Sequence, residues 1–319
     1  MKSLLAAAAI LLTAHTCFCW GFYGHRQINY YAVFLLPPEM LLFYKKHIGF
    51  LQEHAVDPDK RRYAVTAEAP RHFLDIDRYG TYPYDSLPRE WNRAVERYTA
   101  DTLNAHGIVP WWIQVMLARL TAAFRDKDPA RILKNSAELG HYIADSHVPL
   151  HATRNHNGQY TNQKGIHGFW ESRVPELLAD REWDFFIGQA AYIRDPLRYS
   201  WDRLLESAAA VDTVLKTEKA LSARFPADQV YSFEERNSVV TRQYSSAYTR
   251  AYDASMKGMV ERRMRVSIFS VASFWYTAWV NAGQPDLGKL SDRGFGENDL
   301  RDFEELNQAW KKAGESGDH

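Results

Sequence analysis

Gly140-His141-Tyr142-Ile143-Ala144-Asp145-Ser146-His147-Val148-Pro149-Leu150-His151 is the segment from which the rest of the chain can be read. Upstream, Asp128-Pro129 has the form of a helix N-cap followed by a first-turn proline. Pro149 ends the same helix, because it lacks an N–H and clashes with the preceding turn. His141 and Asp145 are i, i+4 between those limits, so both leave one helix face. His147, two residues beyond Asp145, faces away from that side, and His151 lies just past the helix end.

A single His/Asp pair of this kind is an ordinary surface ion pair. Here it recurs: His167-Gly-Phe-Trp-Glu171 is a second i, i+4 His/carboxylate pair, reached through a polar loop over 155–165. Two pairs with His151 between them form a metal-site pattern. Imidazole and carboxylate suit zinc, and catalytic zinc takes about three protein ligands and keeps one position open.

Helical periodicity extends in both directions. Helices are expected over 26–36, 39–47, 88–105, 111–125, 128–148, 168–179, 195–223, 232–281 (with breaks) and 298–313. Alternating β-branched runs bounded by turns are sparse. The fold class expected is all-α: one multi-helix domain over 20–287, then a polar tail over 288–319 with a short helix. The nearest approach to a boundary is 180–195, but Trp183, Phe185 and Phe186 within it are expected to join the same core.

Composition sets outer limits. Of 319 residues, 46% are hydrophobic and 24% charged, which excludes a disordered chain. Lys+Arg and Asp+Glu both number 39, so there is no large basic footprint for wrapping duplex DNA. Lys2 followed by the apolar run Leu4–Leu12 is too short for a bilayer span and reads as a secretory signal over 1–19. Cleavage before Trp20 would remove both cysteines, Cys17 and Cys19, leaving the core or metals to stabilise a secreted or periplasmic protein. No later run is apolar enough to span a membrane. Trp20 would then carry a free α-amine close to His25, able to chelate a metal together with its own carbonyl.

The ordered set of Trp20, His25, Asp57, His72, His141-x3-Asp145-x5-His151 and His167-x3-Glu171 resembles the superfamily joining bacterial zinc-dependent phospholipase C to the single-strand-preferring zinc nucleases of fungi and plants. The resemblance covers most of the chain after residue 19. It implies an all-α fold with three zinc ions in one cleft. Asp57, His72, His141 and Asp145 would hold the first, and Trp20, His25 and the shared Asp145 the second. His151, His167 and Glu171 would hold the third.

The activity implied is hydrolysis of a phosphodiester, with zinc-activated water attacking phosphorus and no Ser or Cys nucleophile. Asp57 would orient the water or take its proton. Nuclease-like members of the superfamily carry an Arg three residues after the Asp57 position, and Lys60 stands there in this chain. They also follow the His72 position with an aromatic residue and, two residues on, an Asp that together hold a base; Phe73 and Asp75 match, and an aromatic face stacks any base. Single-stranded nucleic acid or nucleotides are therefore the first expected substrate. The alternatives are a phospholipid headgroup, as for phospholipase C, and a non-catalytic zinc-binding surface protein. No stable protein partner is implied.

Overall fold

A computed structural model describes residues 21–236, 239–290 and 295–316. The expected signal segment and Trp20 lie outside the described residues. Most of the described residues are helical. Its helices are α1 (Phe22–Val33), α2 (Pro38–Lys46), α3 (Ile48–Glu53), α4 (Asp57–Arg61), α5 (Trp91–Tyr98), α6 (Ala100–His106) and α7 (Val109–Asp126). Then follow α8 (Pro129–Asp145), α9 (Ile166–Gly168), α10 (Val174–Glu182), α11 (Pro196–Ser222), α12 (Ser246–Met256), α13 (Met259–Asn281) and α14 (Glu297–Ser316). The all-α expectation holds.

The Asp-Pro signals act as expected. Asp128 accepts a hydrogen bond from Arg131 N at 3.1 Å to open α8, and Asp195 accepts from Arg198 N at 3.0 Å to open α11. From Ser136 to Asp145 every residue of α8 is buried, with α1, α7 and α13 packed around it. Full burial of a side chain such as Leu139 or Ile143 contributes about 1.5–3 kcal/mol. The central helix is therefore also the one that carries His141 and Asp145.

Asn29 of α1 ties this core together. Its Nδ2 donates to Leu51 O at the end of α3 and to Ala137 O of α8, each at 3.1 Å. Gly140 makes the approach possible, since a Cβ there would lie 2.0 Å from Asn29 Oδ1.

Of the stretch over 180–195, the first three residues end α10 and 183–195 run extended across α13 and the end of α1. Ala191 N donates to Ser273 Oγ at 3.1 Å, Ile193 N to Thr277 Oγ1 at 2.9 Å, and Ala190 N to Leu35 O at 2.8 Å. Trp183 and Phe185 pack against the core, whereas Phe186 is 86% exposed, against expectation.

Two other expectations need correction. The helix expected from residue 232 begins only at Ser246. Before it stands an antiparallel hairpin, β1 (Tyr231–Arg236) with β2 (Val239–Tyr244), registered Tyr231 to Tyr244 and Phe233 to Arg242. Aromatic and β-branched residues dominate these strands, a composition that favours a pleated surface. The helix expected over 88–105 is broken at Thr99, whose φ of 66° no continuing helix can accept. Among the described residues, no single helix is long and apolar enough to cross a membrane.

Candidate metal centre

Three clusters of buried imidazoles and carboxylates converge at one end of α8. They are His25 with His141 and Asp145, Asp59 with His72 and His141, and His151 with His167 and Glu171. Asp145 joins them. Its Oδ1 lies 3.4 Å from His25 Nε2 and 3.8 Å from His151 Nδ1, and its Oδ2 lies 3.0 Å from His72 Nδ1 and 3.2 Å from His141 Nε2. Burial opposes ionisation of Asp145, but the His141 and His151 rings outweigh it and hold the carboxyl well below the usual range.

Neighbouring groups set the ring orientations. Ala55 O lies 2.8 Å from His141 Nδ1, and a carbonyl only accepts, so Nδ1 donates to it and Nε2 is the nitrogen turned toward Asp145 and Asp59. His72 O fixes His151 in the same way at 2.6 Å from Nδ1, leaving Nε2 toward Glu171 Oε2 at 3.6 Å. His167 Nε2 lies 3.0 Å from Glu171 Oε2. The Tyr142 ring packs edge-on against both His72 and His141. Between His167 and Glu171 the helix widens into a π-turn over Phe169–Arg173, a distortion found often at functional sites.

Behind His72 stands Glu68, fully buried, with Oε1 3.6 Å from His72 Nε2. Arg61 Nε at 2.9 Å, Arg71 Nη1 at 2.6 Å and the Tyr142 hydroxyl all donate to Glu68. Burial raises its pKa, but His72 and Arg61 outweigh this and keep Glu68 ionised below the usual carboxylate range.

Of the expected ligands, the structure brings together His25, His72, His141, Asp145, His151, His167 and Glu171. Asp57 is not among them. Its carboxylate turns away, 2.6 Å from His54 Nδ1 and 3.3 Å from Lys60 Nζ, and Asp59 stands beside His72 and His141 instead, 3.7 Å from each. On the short helix α4, residues three apart share a face. Asp57 and Lys60 therefore point outward together, while Asp59 faces the centre with Arg62 Nη1 at 3.8 Å. Lys60 is corrected with it: its Nζ is buried against Asn307 Oδ1 at 2.8 Å, away from the cleft.

The sequence held signals for these residues. Asp59 is followed three residues later by Arg62, the arrangement that Asp57 lacked, and Glu68/His72 is a third i, i+4 His/carboxylate pair. Phe73 and Asp75 follow His72 on a segment paired to the centre through Leu74 N and His151 O at 2.9 Å; both are half-buried. Burial and the nearby Asp77 push the Asp75 carboxyl up to about 6. His147 is buried on the opposite side of the helix end, held by Ile143 O at 2.8 Å and Ser270 Oγ at 3.0 Å.

The donor set fits zinc. His25 Nδ1 and Nε2, both oxygens of Asp59, Asp145 Oδ1, His151 Nε2 and Glu171 Oε1 are buried without a hydrogen bond. Leaving so many polar atoms unsatisfied in one place carries a large desolvation cost unless cations complete their contacts. Residues 24–227 match the zinc-dependent phospholipase C family. The chain belongs to that family. No curated protein matches it. The match spans every cluster from His25 to Glu171. As a zinc-dependent phospholipase C family member, the chain is an enzyme that hydrolyses phosphodiester bonds with zinc. The hairpin and α14 lie beyond the matched residues.

Proposed function

We propose that the chain binds three zinc ions, one per cluster, and cleaves the headgroup phosphodiester of phospholipids after export. The observation that carries this reading is the set of three clusters, two of which share His141, with Asp145 within 3.8 Å of a histidine of each, in a family named for phospholipase C. The family's description supports taking phospholipid ahead of the nucleic-acid substrate expected from the sequence. Zinc, when bound, activates water for attack and neutralises charge on the attacking and leaving oxygens of an in-line displacement.

The chain's own residues prepare that step. Asp59 and His72 orient the inner side of the cleft, with Glu68 holding His72. Arg62, at the end of α4 with Nη1 3.8 Å from Asp59 Oδ1, presents a planar fork that can grip a phosphate by two hydrogen bonds. Gly21, the first described residue, packs so closely on Ser172 that a Cβ would lie 2.4 Å from its Oγ. Ser172 adjoins Glu171, so the start of α1 is pinned beside the third cluster. This supports cleavage before Trp20 as an activation step, in which the freed amine joins His25 and Asp145, since the one free nitrogen of His141 serves the zinc beside Asp59 and His72.

A second reading, cleavage of single-stranded nucleic acid, is favoured by Phe73 and Asp75. Both follow His72 closely in the chain and are half-buried, so an aromatic face and a carboxyl pushed up to about 6 stand near the cluster that holds His72. One sample tests both. Protein beginning at Trp20 should contain close to three zinc per chain by elemental analysis and should release phosphorylated headgroup from phosphatidylcholine vesicles. Cleavage of single-stranded nucleic acid with no action on phosphatidylcholine would replace the first reading by the second. A folded protein that takes up no zinc would overturn both.

A further inference from the structure

We propose that α14 is a positioning element for the metal centre, setting the rotation of α4 through Lys60, Asn307 and Trp310. This rests on reading Asp59 as a zinc ligand. With five residues, α4 is too short to fix its own orientation by internal hydrogen bonds. A roll about its axis would draw Asp59 away from His72 and His141, and only about half a turn would bring Asp57 into its place, since residues two apart lie on nearly opposite sides of a helix. What resists the roll is contact on the outer face.

On that face α14 docks with a single stripe. Phe303, Asn307 and Trp310 recur at i, i+4 and i+7, so they line one side of the helix. The Phe303 ring lies 5.6 Å from Phe50 and 4.3 Å from His54, the residue hydrogen-bonded to Asp57. Asn307 Oδ1 accepts from Lys60 Nζ at 2.8 Å. The Trp310 ring lies 5.9 Å from the Lys60 ammonium and 5.4 Å from the Phe22 ring, at the start of α1 three residues before His25.

The chemistry of Lys60 makes this a lock. Its ammonium is withdrawn from water, and a buried charge is tolerated only with partners that satisfy it. Asp57 supplies one and Asn307 the other, with the Trp310 face adding a cation–π contact. If the α14 partners are removed, Lys60 gains by swinging back into solvent, and the turn that carries Asp59 rotates with it. The stripe lies outside the residues matched to the family.

The test measures zinc affinity by competition with a chelator, on the full-length enzyme and on Asn307→Leu and Trp310→Ala. Each substitution should weaken one class of zinc site by about tenfold, the scale of losing an outer-shell partner. Asn307→Asp, which keeps an oxygen acceptor for Lys60, should restore it. In an Asp59→Asn background neither α14 substitution should weaken zinc further, because all three act on the same ligand. Losses that multiply with Asp59→Asn, or α14 variants within about twofold of the unaltered chain, would overturn the proposal while leaving the ligand assignment intact. Full zinc affinity in Asp59→Asn alone would overturn the ligand reading and the proposal with it. Should Trp310→Ala fail to fold, Asn307→Leu carries the same comparison.

Discussion

Asp57 and Asp59 differ by two positions and face opposite ways, and substitution should separate them sharply. Asp59→Asn is expected to lower zinc affinity by at least the roughly 10–100-fold that loss of an outer-shell partner costs. Asp57→Asn keeps an acceptor for Lys60 and should retain its zinc, as elemental analysis of the two variants would show. His147 gives a second prediction at this scale. Burial, reinforced by the Arg263 charge, holds its pKa well below 6.5. The folded chain then binds fewer protons there than the unfolded chain does, so stability is lost as pH falls below about 6.5. One such proton changes stability by about 1.4 kcal/mol per pH unit. Denaturation between pH 7 and pH 5 should show a shallower slope in His147→Gln.

Between elements, the closest fit is that of α1 on α8. Gly140→Ala would drive a Cβ onto Asn29 and break its two bonds to Leu51 O and Ala137 O. Crowding of a packed core costs about 1–3 kcal/mol, and unsatisfied buried polar groups add to it. Urea denaturation should register that loss. His25 and His141 lie on these two helices with rings stacked at 3.8 Å, so the same substitution should also weaken zinc binding. Cavity formation is a different failure: Leu139→Ala in α8 should cost about 2–5 kcal/mol without moving the ligands. Helices and caps were legible because backbone hydrogen bonding gives them a fixed period and proline gives them fixed ends. The hairpin over 231–244 was not, since two short strands pairing only with each other leave a weak periodic signal.

Across the whole molecule, the metal centre sits where α1, α4, α8 and the π-turn after α9 meet, so metal binding and folding are linked. Stability should rise with free zinc, by about 4 kcal/mol per site when zinc exceeds its Kd a thousandfold. Chelation should therefore lower Tm, and added Zn²⁺ should restore both Tm and turnover. A protein whose Tm ignores chelator while its activity disappears would show that the clusters are formed without metal.

While His25 and His72 came with the family resemblance, the amino-acid sequence alone determined the helical class, the proline-marked starts of α8 and α11, and five of the residues that converge on the centre (His141, Asp145, His151, His167 and Glu171). These follow from spacing: i, i+4 is one helical face wherever the helix goes, and Asp-Pro or Pro149 marks an end in any context. The tertiary structure alone decided which carboxylate of α4 faces inward, which carbonyls fix the histidine rings, and where Lys60 points. A two-residue difference in the turn between α4 and His72 is invisible to a spacing rule, because a surface turn absorbs it without moving either end. The rotation of a five-residue helix is set by what packs on its outer face, here a helix from the far end of the chain.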